Sequence, residues 1–156
     1  MPLKRSEREQ DTTPVASAQE RSAGAIIFVK EKPEIKFLLL HYEAGHWSFP
    51  KGNIEKGETE LLTAQREIKE ETSLEDLQFF DNFREVINYY YKREGKTILK
   101  EAIFFLAQSF KEHITISYEH IGYAWLTYDK ALEKVTYEND KNVLKKAMEF
   151  IKGHKE

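Results

Sequence analysis

The sequence predicts an α/β fold, a mixed β-sheet sandwiched between helices as an α/β/α arrangement, and three observations point to it. Several short runs are rich in β-branched and aromatic residues, a helical pattern follows a glycine-bearing loop in mid-chain, and an apolar stripe of helical period closes the chain. At 156 residues, a single domain should bury roughly two-thirds of the surface its unfolded chain exposes. One core is therefore expected.

Residues 1–20 (MPLKRSEREQDTTPVASAQE) are polar and charged, without the apolar stretch of a secretory signal. They read as a flexible arm, with a strand docked on this domain or on a partner as the alternative. Residues 21–156 then form the domain. Residues 22–30 (SAGAIIFVK) and 35–42 (IKFLLLHY) flank Glu31-Lys32-Pro33-Glu34 and predict a β-hairpin. Residues 43–58 contain Gly45, Pro50, Gly52 and Gly57 and have no sustained period, which predicts a long loop of the kind that carries function.

Leu61, Ala64 and Ile68 recur at helical spacing among strong helix formers, so residues 59–72 should be a helix that stops at Thr72-Ser73. Residues 85–92 and 97–110 should pair as a second hairpin through Arg93-Glu94-Gly95-Lys96. Residues 122–126 (GYAWL) predict a last strand. From Asp129, a reasonable N-cap, the positions Leu132, Val143, Leu144, Ala147, Phe150 and Ile151 mark helices with one apolar side.

Composition narrows the function. Twenty-four Lys and Arg stand against 27 Asp and Glu, a net charge of −3, which gives no electrostatic reason to bind an extended nucleic-acid surface or an anionic membrane. No apolar stretch is long enough to span a bilayer. The absence of cysteine excludes a thiol nucleophile, a disulfide scaffold and a Cys-based metal site. With no signal segment, the expected address is cytoplasmic.

On the mid-chain helix, Glu67, Glu70 and Glu71 fall at i, i+3 and i+4 and share a sector of its surface. Such a cluster is ordinarily a solvated face, but a hard divalent cation turns its self-repulsion into an oxygen-ligand site. The surrounding pattern favours the second meaning. Gly52, five residues, Glu58, seven residues, Arg66-Glu67-Ile68-Lys69-Glu70-Glu71-Thr72-Ser73-Leu74 resembles the Nudix box of the Nudix hydrolases. Ser73 stands where that family has a glycine, so the turn after the helix is the one departure.

The resemblance implies Mg²⁺-dependent pyrophosphate hydrolysis, with Mn²⁺ as a possible substitute. It assigns Glu67, Glu70, Glu71 and the Lys51 backbone carbonyl to the metal, with Glu67 also a candidate base. Arg66 would orient the cluster, and Glu58 would hold a metal-bound water or tie loop to helix. For a further carboxylate from outside the box, Glu119 comes first and Glu101 second.

The flanks, His46-Trp47-Ser48-Phe49-Pro50-Lys51, Asn88-Tyr89, Lys100 and Glu119-His120, resemble the asymmetrical bis(5'-nucleosyl)-tetraphosphatases within that family. This implies a small-molecule dinucleoside polyphosphate as substrate, with His46, Lys51 and Lys100 on phosphates and Tyr89 and Tyr137 on adenine. Dinucleoside polyphosphates need such cations and aromatic faces. Taken alone, at least one of Tyr89, Tyr90 and Tyr91 should pack in the core, Trp47 and Trp125 should be core or loop-anchoring residues, and His41, His113 and His120 should be solvent-facing or hydrogen-bonded structural residues. RNA 5' ends or nucleoside triphosphates are the alternative substrates, and a non-catalytic nucleotide-binding module is the alternative class. Monomer and dimer both remain open.

Overall fold

The computed structural model describes residues 18–154. Eight strands run β1 (Ala18–Glu31), β2 (Glu34–Tyr42), β3 (Trp47–Ser48), β4 (Lys51–Asn53), β5 (Leu77–Phe79), β6 (Glu85–Arg93), β7 (Lys96–Ser109) and β8 (His120–Thr127). Three helices accompany them among the described residues: α1 (Glu60–Thr72) between β4 and β5, then α2 (Tyr128–Lys134) and α3 (Glu138–Gly153).

All eight strands belong to one mixed sheet. Its path is β3-β2-β1-β7-β5, with β4 on β1, β6 on β7 and β8 on β2. The pair β1–β7 is parallel and long, from Ala18↔Ile98 to Phe28↔Gln108. As the centre of the sheet, β1 is covered on both faces, which is why its residues from Ser22 to Val29 are buried without a break. Side-chain alternation divides them. Ala23, Ala25 and Ile27 pack under α1 with Ile68, Ala64 and Ile103. Ile26 and Phe28 join the opposite core, formed with Phe37, Phe104, Ala131, Val143, Leu144 and Ala147 beneath α2 and α3. Each such aliphatic or aromatic side chain contributes about 1.5–3 kcal/mol when fully buried.

The predicted α/β/α arrangement and both hairpins are present. The second closes through Glu94 and Gly95, both at positive φ (51° and 78°), as a two-residue hairpin turn requires. Four expectations need correction. The expected arm runs to residue 20, but Ala18–Glu20 already belong to β1, held there by Ile98–Lys100; residues 1–17 lie outside the described residues. The expected long loop contains β3 and β4, because its extended segments pair with β2 and β1. Asp129 is not an N-cap but sits in the first turn of α2, after Thr127. Leu61 does not face the core: it is 39% exposed, and the buried side of α1 continues from Ala64 and Ile68 to Glu71.

Ser73 shows how the chain manages without the family's glycine. It is left-handed at φ 68°, donates its N–H to the Lys69 carbonyl, and its hydroxyl donates to the Thr115 carbonyl at 3.3 Å. The hydrogen bonds offset part of the strain of a β-carbon in that conformation.

Candidate active site

Glu67 and Glu71 of α1 face a close crossing of β1 and β4. Gly24 and Gly52 make the crossing possible: a β-carbon on Gly24 would sit 1.9 Å from the Pro50 carbonyl oxygen, and one on Gly52 would sit 2.0 Å from the Glu67 carboxyl carbon. The Glu67 carboxylate therefore rests directly on the Gly52 backbone.

Arg66 ties this arrangement to the preceding loop. Its Nε and Nη2 donate to the two oxygens of Glu58 at 2.7 and 2.9 Å, Nη1 donates to Glu67 at 2.7 Å, and Nη2 also reaches the Asn53 carbonyl at 3.0 Å. Glu58 additionally accepts from the Glu55 N–H and the Thr63 hydroxyl. The Arg66 guanidinium and these donors hold the Glu58 carboxyl down at about 2. Glu70 is 58% exposed and lies 3.4 Å from the same guanidinium.

Glu71 lives in another environment. Its side chain is 4% exposed, and Oε1 has no hydrogen-bond partner. Burial first, then the neighbouring Glu67 carboxylate and the charge of Glu119, push its carboxyl up to about 10, against a hydrogen bond from the Lys51 backbone. His120 completes this inner corner. Its Nε2 stands 3.2 Å from Glu71 Oε1 without hydrogen-bond geometry, Nδ1 lies 3.0 Å from the Ser117 hydroxyl, and Tyr42 packs edge-on against the ring. Burial lowers the His120 pKa.

Chain segments 115–117 reach this corner because Thr115 and Ser117 donate to the Thr72 and Glu71 carbonyls at the end of α1. They satisfy carbonyls the helix leaves open and carry Glu119 and His120 to the cluster. Glu119 itself is exposed. Glu101, the second candidate for a further carboxylate, is engaged elsewhere: Arg21 bridges it to Glu60, and Arg84 binds Glu60 from the other side.

A cleft of about 840 Å³ opens beside the cluster, lined in part by His46, Lys51, Asn53, Tyr89, Lys100 and Tyr137. Lys51 Nζ donates to the Tyr89 hydroxyl at 3.2 Å, Lys100 Nζ donates to Asn53 Oδ1 at 2.7 Å, and His46 packs between Tyr42 and Tyr137. Burial lowers the pKa of both lysines. At the cleft floor, Asp140 of α3 is buried and accepts from the Ser48 hydroxyl at 2.7 Å.

The chain matches the NUDIX domain over residues 18–147. It belongs to the Nudix family. The asymmetrical bis(5'-nucleosyl)-tetraphosphatase of Rattus norvegicus is 35% identical over 143 residues, spanning 84% of this chain and 95% of the rat protein. The Caenorhabditis elegans protein of the same name is 31% identical over 138 residues, spanning 85% and 97%. Among solved structures, a C. elegans Ap4A hydrolase binary complex superposes with a TM-score of 0.78 at 30% identity, covering 86% of this chain and 99% of that one.

Nudix hydrolases generally use divalent metal ions, and the donor set here suits one. Glu67, Glu70 and Glu71 offer hard oxygens, and the buried, unpartnered Glu71 oxygen is an acceptor that the protein's own donors leave unsatisfied. The described residues do not hold a ready-made cage of three acidic or His side chains. Glu67 and Glu70 are instead turned towards Arg66.

The fold thus assembles all the residues singled out in the box, brings His46, Lys51, Tyr89, Lys100 and Tyr137 into one cleft, and leaves Glu101 in a separate ion-pair network. One expectation about the flanks fails: none of the three consecutive tyrosines enters the core, since Tyr89 and Tyr91 face the cleft and Tyr90 is 37% exposed. His120 is hydrogen-bonded to Ser117 as a structural residue, and it also faces Glu71. Trp125 does anchor structure, donating Nε1–H to the Glu112 carbonyl at 2.8 Å. Asp140 was not singled out by the sequence, where an acidic residue in a helix's first turn is ordinary.

Proposed function

We propose that the protein is a Mg²⁺-dependent hydrolase of dinucleoside polyphosphates that cleaves diadenosine tetraphosphate off-centre into ATP and AMP, with Mn²⁺ able to replace Mg²⁺. One observation carries the reading. The cleft that begins at Lys51 and Asn53, either side of the Gly52 on which Glu67 rests, combines cations for phosphates with Tyr89 and Tyr137 for flat bases. The likeness to asymmetrical tetraphosphatases over most of both chains supports it.

A bound divalent ion would draw charge from the phosphate oxygens and make water more acidic. Glu67, Glu70, Glu71 and the Lys51 backbone carbonyl would hold it. Arg66 fixes Glu67 by a charge-assisted hydrogen bond and anchors the loop through Glu58. Glu67 is engaged by Arg66 and Glu71 is enclosed, so Glu119, exposed and without an ion pair among the described residues, is the carboxylate free to take the proton of the attacking water. Lys51, Lys100 and His46 would bind the phosphate chain, and Tyr89 and Tyr137 would stack on adenine, worth about 1–3 kcal/mol per base. No helix among the described residues is long and apolar enough to cross a membrane; a cytoplasmic address is part of the proposal.

Purified protein with diadenosine tetraphosphate and Mg²⁺ should release ATP and AMP in equal amounts. Two ADP would contradict the asymmetric cut, and faster turnover of RNA 5' ends or nucleoside triphosphates would replace the substrate.

A further inference from the structure

Three residues of the cleft, Glu20, Tyr91 and Arg93, have no part in the roles above and cluster around Lys100. The register of three adjacent strands creates this cluster: Glu20 on β1 lies opposite Lys100 on β7, which lies opposite Tyr89 on β6. Tyr91 and Arg93 follow Tyr89 at two-residue steps and face the same side. Arg93 Nη1 lies 3.0 Å from one Glu20 oxygen, Lys100 Nζ lies 3.5 Å from the other, and the Tyr91 hydroxyl donates to Glu20. The Arg93 guanidinium also covers the Tyr91 ring at 5.3 Å. All four residues line the cleft.

Three donors, two of them cationic, converge on one carboxylate. Without Glu20 they would make an anion site, and a phosphate oxygen offers them the same acceptor chemistry. The site also continues the path from the carboxylate cluster. Outward from Gly52, Asn53 contacts Lys100 at 2.7 Å, Lys100 contacts Glu20 at 3.5 Å, and Glu20 contacts Arg93 at 3.0 Å.

We propose that Tyr91, Arg93 and Lys100 form a further phosphate subsite in the cleft, that Glu20 occupies it as an internal competitor, and that Glu20 thereby sets the polyphosphate chain length the enzyme prefers. This rests on the dinucleoside polyphosphate reading and extends it. A short chain satisfied by Lys51, His46 and Lys100 leaves the Glu20–Arg93 pair intact. A longer chain brings another negative charge along the path and must displace the carboxylate, so Glu20 discriminates by like-charge repulsion.

The test compares kcat/KM for diadenosine tetra-, penta- and hexaphosphate in the wild type, Glu20→Gln, and Glu20→Gln with Arg93→Ala. Glu20→Gln keeps the size of the side chain and removes its charge. The expected result is a hexa- to tetraphosphate ratio raised about fivefold or more, by the scale of a charge-assisted contact, with the Arg93 change returning it towards the wild-type ratio. An unchanged ratio overturns the proposal. So does an equal fall on all three substrates, which is the signature of a merely structural ion pair. Calorimetric titration with inorganic tripolyphosphate reads the subsite separately from turnover. Glu20→Gln should bind it several-fold tighter and the double variant should lose the gain. If the wild type cleaves no dinucleoside polyphosphate, the assigned substrate fails, and the tripolyphosphate titration alone then decides whether the anion subsite exists.

Discussion

Glu67 and Glu71 sit one turn apart on α1, yet their surroundings are opposite. Around Glu67, Arg66, Glu58, Thr63 and the Asn53 carbonyl form a network in which the principal groups have partners at 2.7–3.0 Å. Around Glu71, burial is nearly complete, an oxygen has no partner, and the facing His120 nitrogen has none either. The satisfied side is built to hold a shape. The unsatisfied side keeps an acceptor that costs stability in the protein alone and that a bound cation would satisfy.

Breaking the satisfied side should have the largest effect. Arg66→Ala leaves Glu58 and Glu67 unpaired and frees the loop, and turnover should fall ~10²–10³-fold, chiefly in kcat. Steady-state kinetics check this, and a change confined to KM would show that Arg66 does not organise the cluster. On the other side, His120→Asn removes the ring that faces Glu71, and the dissociation constant for Mn²⁺ should rise ~10-fold, the scale of partners that orient metal ligands. Unaltered affinity in a calorimetric titration would reduce His120 to packing.

A pH series sharpens the contrast. Glu58 is held down at about 2, so its pairing stabilises the fold above the ordinary carboxylate range and is lost as pH falls through about 2. The difference in denaturant midpoint between the wild type and Glu58→Gln should therefore be constant from pH 7 to pH 5 and shrink steadily below about 4.5. A difference that grows in acid would contradict the pairing. The smallest effect is expected at Ser73. Glycine relieves the left-handed strain but loses the hydroxyl bond to Thr115, so Ser73→Gly should move stability by less than about 1 kcal/mol in denaturant melts.

The sequence exposed the box and its acidic spacing because both are local along a helix. The burial of Glu71 is hidden, although Ala64, Ile68 and Glu71 continue one i, i+4, i+7 stripe: Leu61 reads as its first member, and a glutamate in that stripe reads as an exposed flank. Tyr91, Arg93 and Glu20 were out of reach for a different reason. They meet only through the parallel β1–β7 register, a pairing about 80 residues apart along the chain, and no local period reports it. The strands β3, β4 and β5 were too short to show an alternation of their own. Glu119 and His120 were adjacent in sequence, but only the docking of residues 115–117 onto the end of α1 reveals that His120 faces the carboxylates.

On the proposed reading, the inward face of α1 would take up a divalent ion through Glu71, and hydrolysis would depend on it. Glu71→Gln keeps the shape, removes the ability to ionise and tests this most directly when Mn²⁺ binding and turnover are measured on the same preparation. Affinity should fall by at least about tenfold and turnover by about 10³-fold, while thermal stability without metal holds or rises because a group awkward to bury has gone. Wild-type affinity and rate in that variant would contradict the claim.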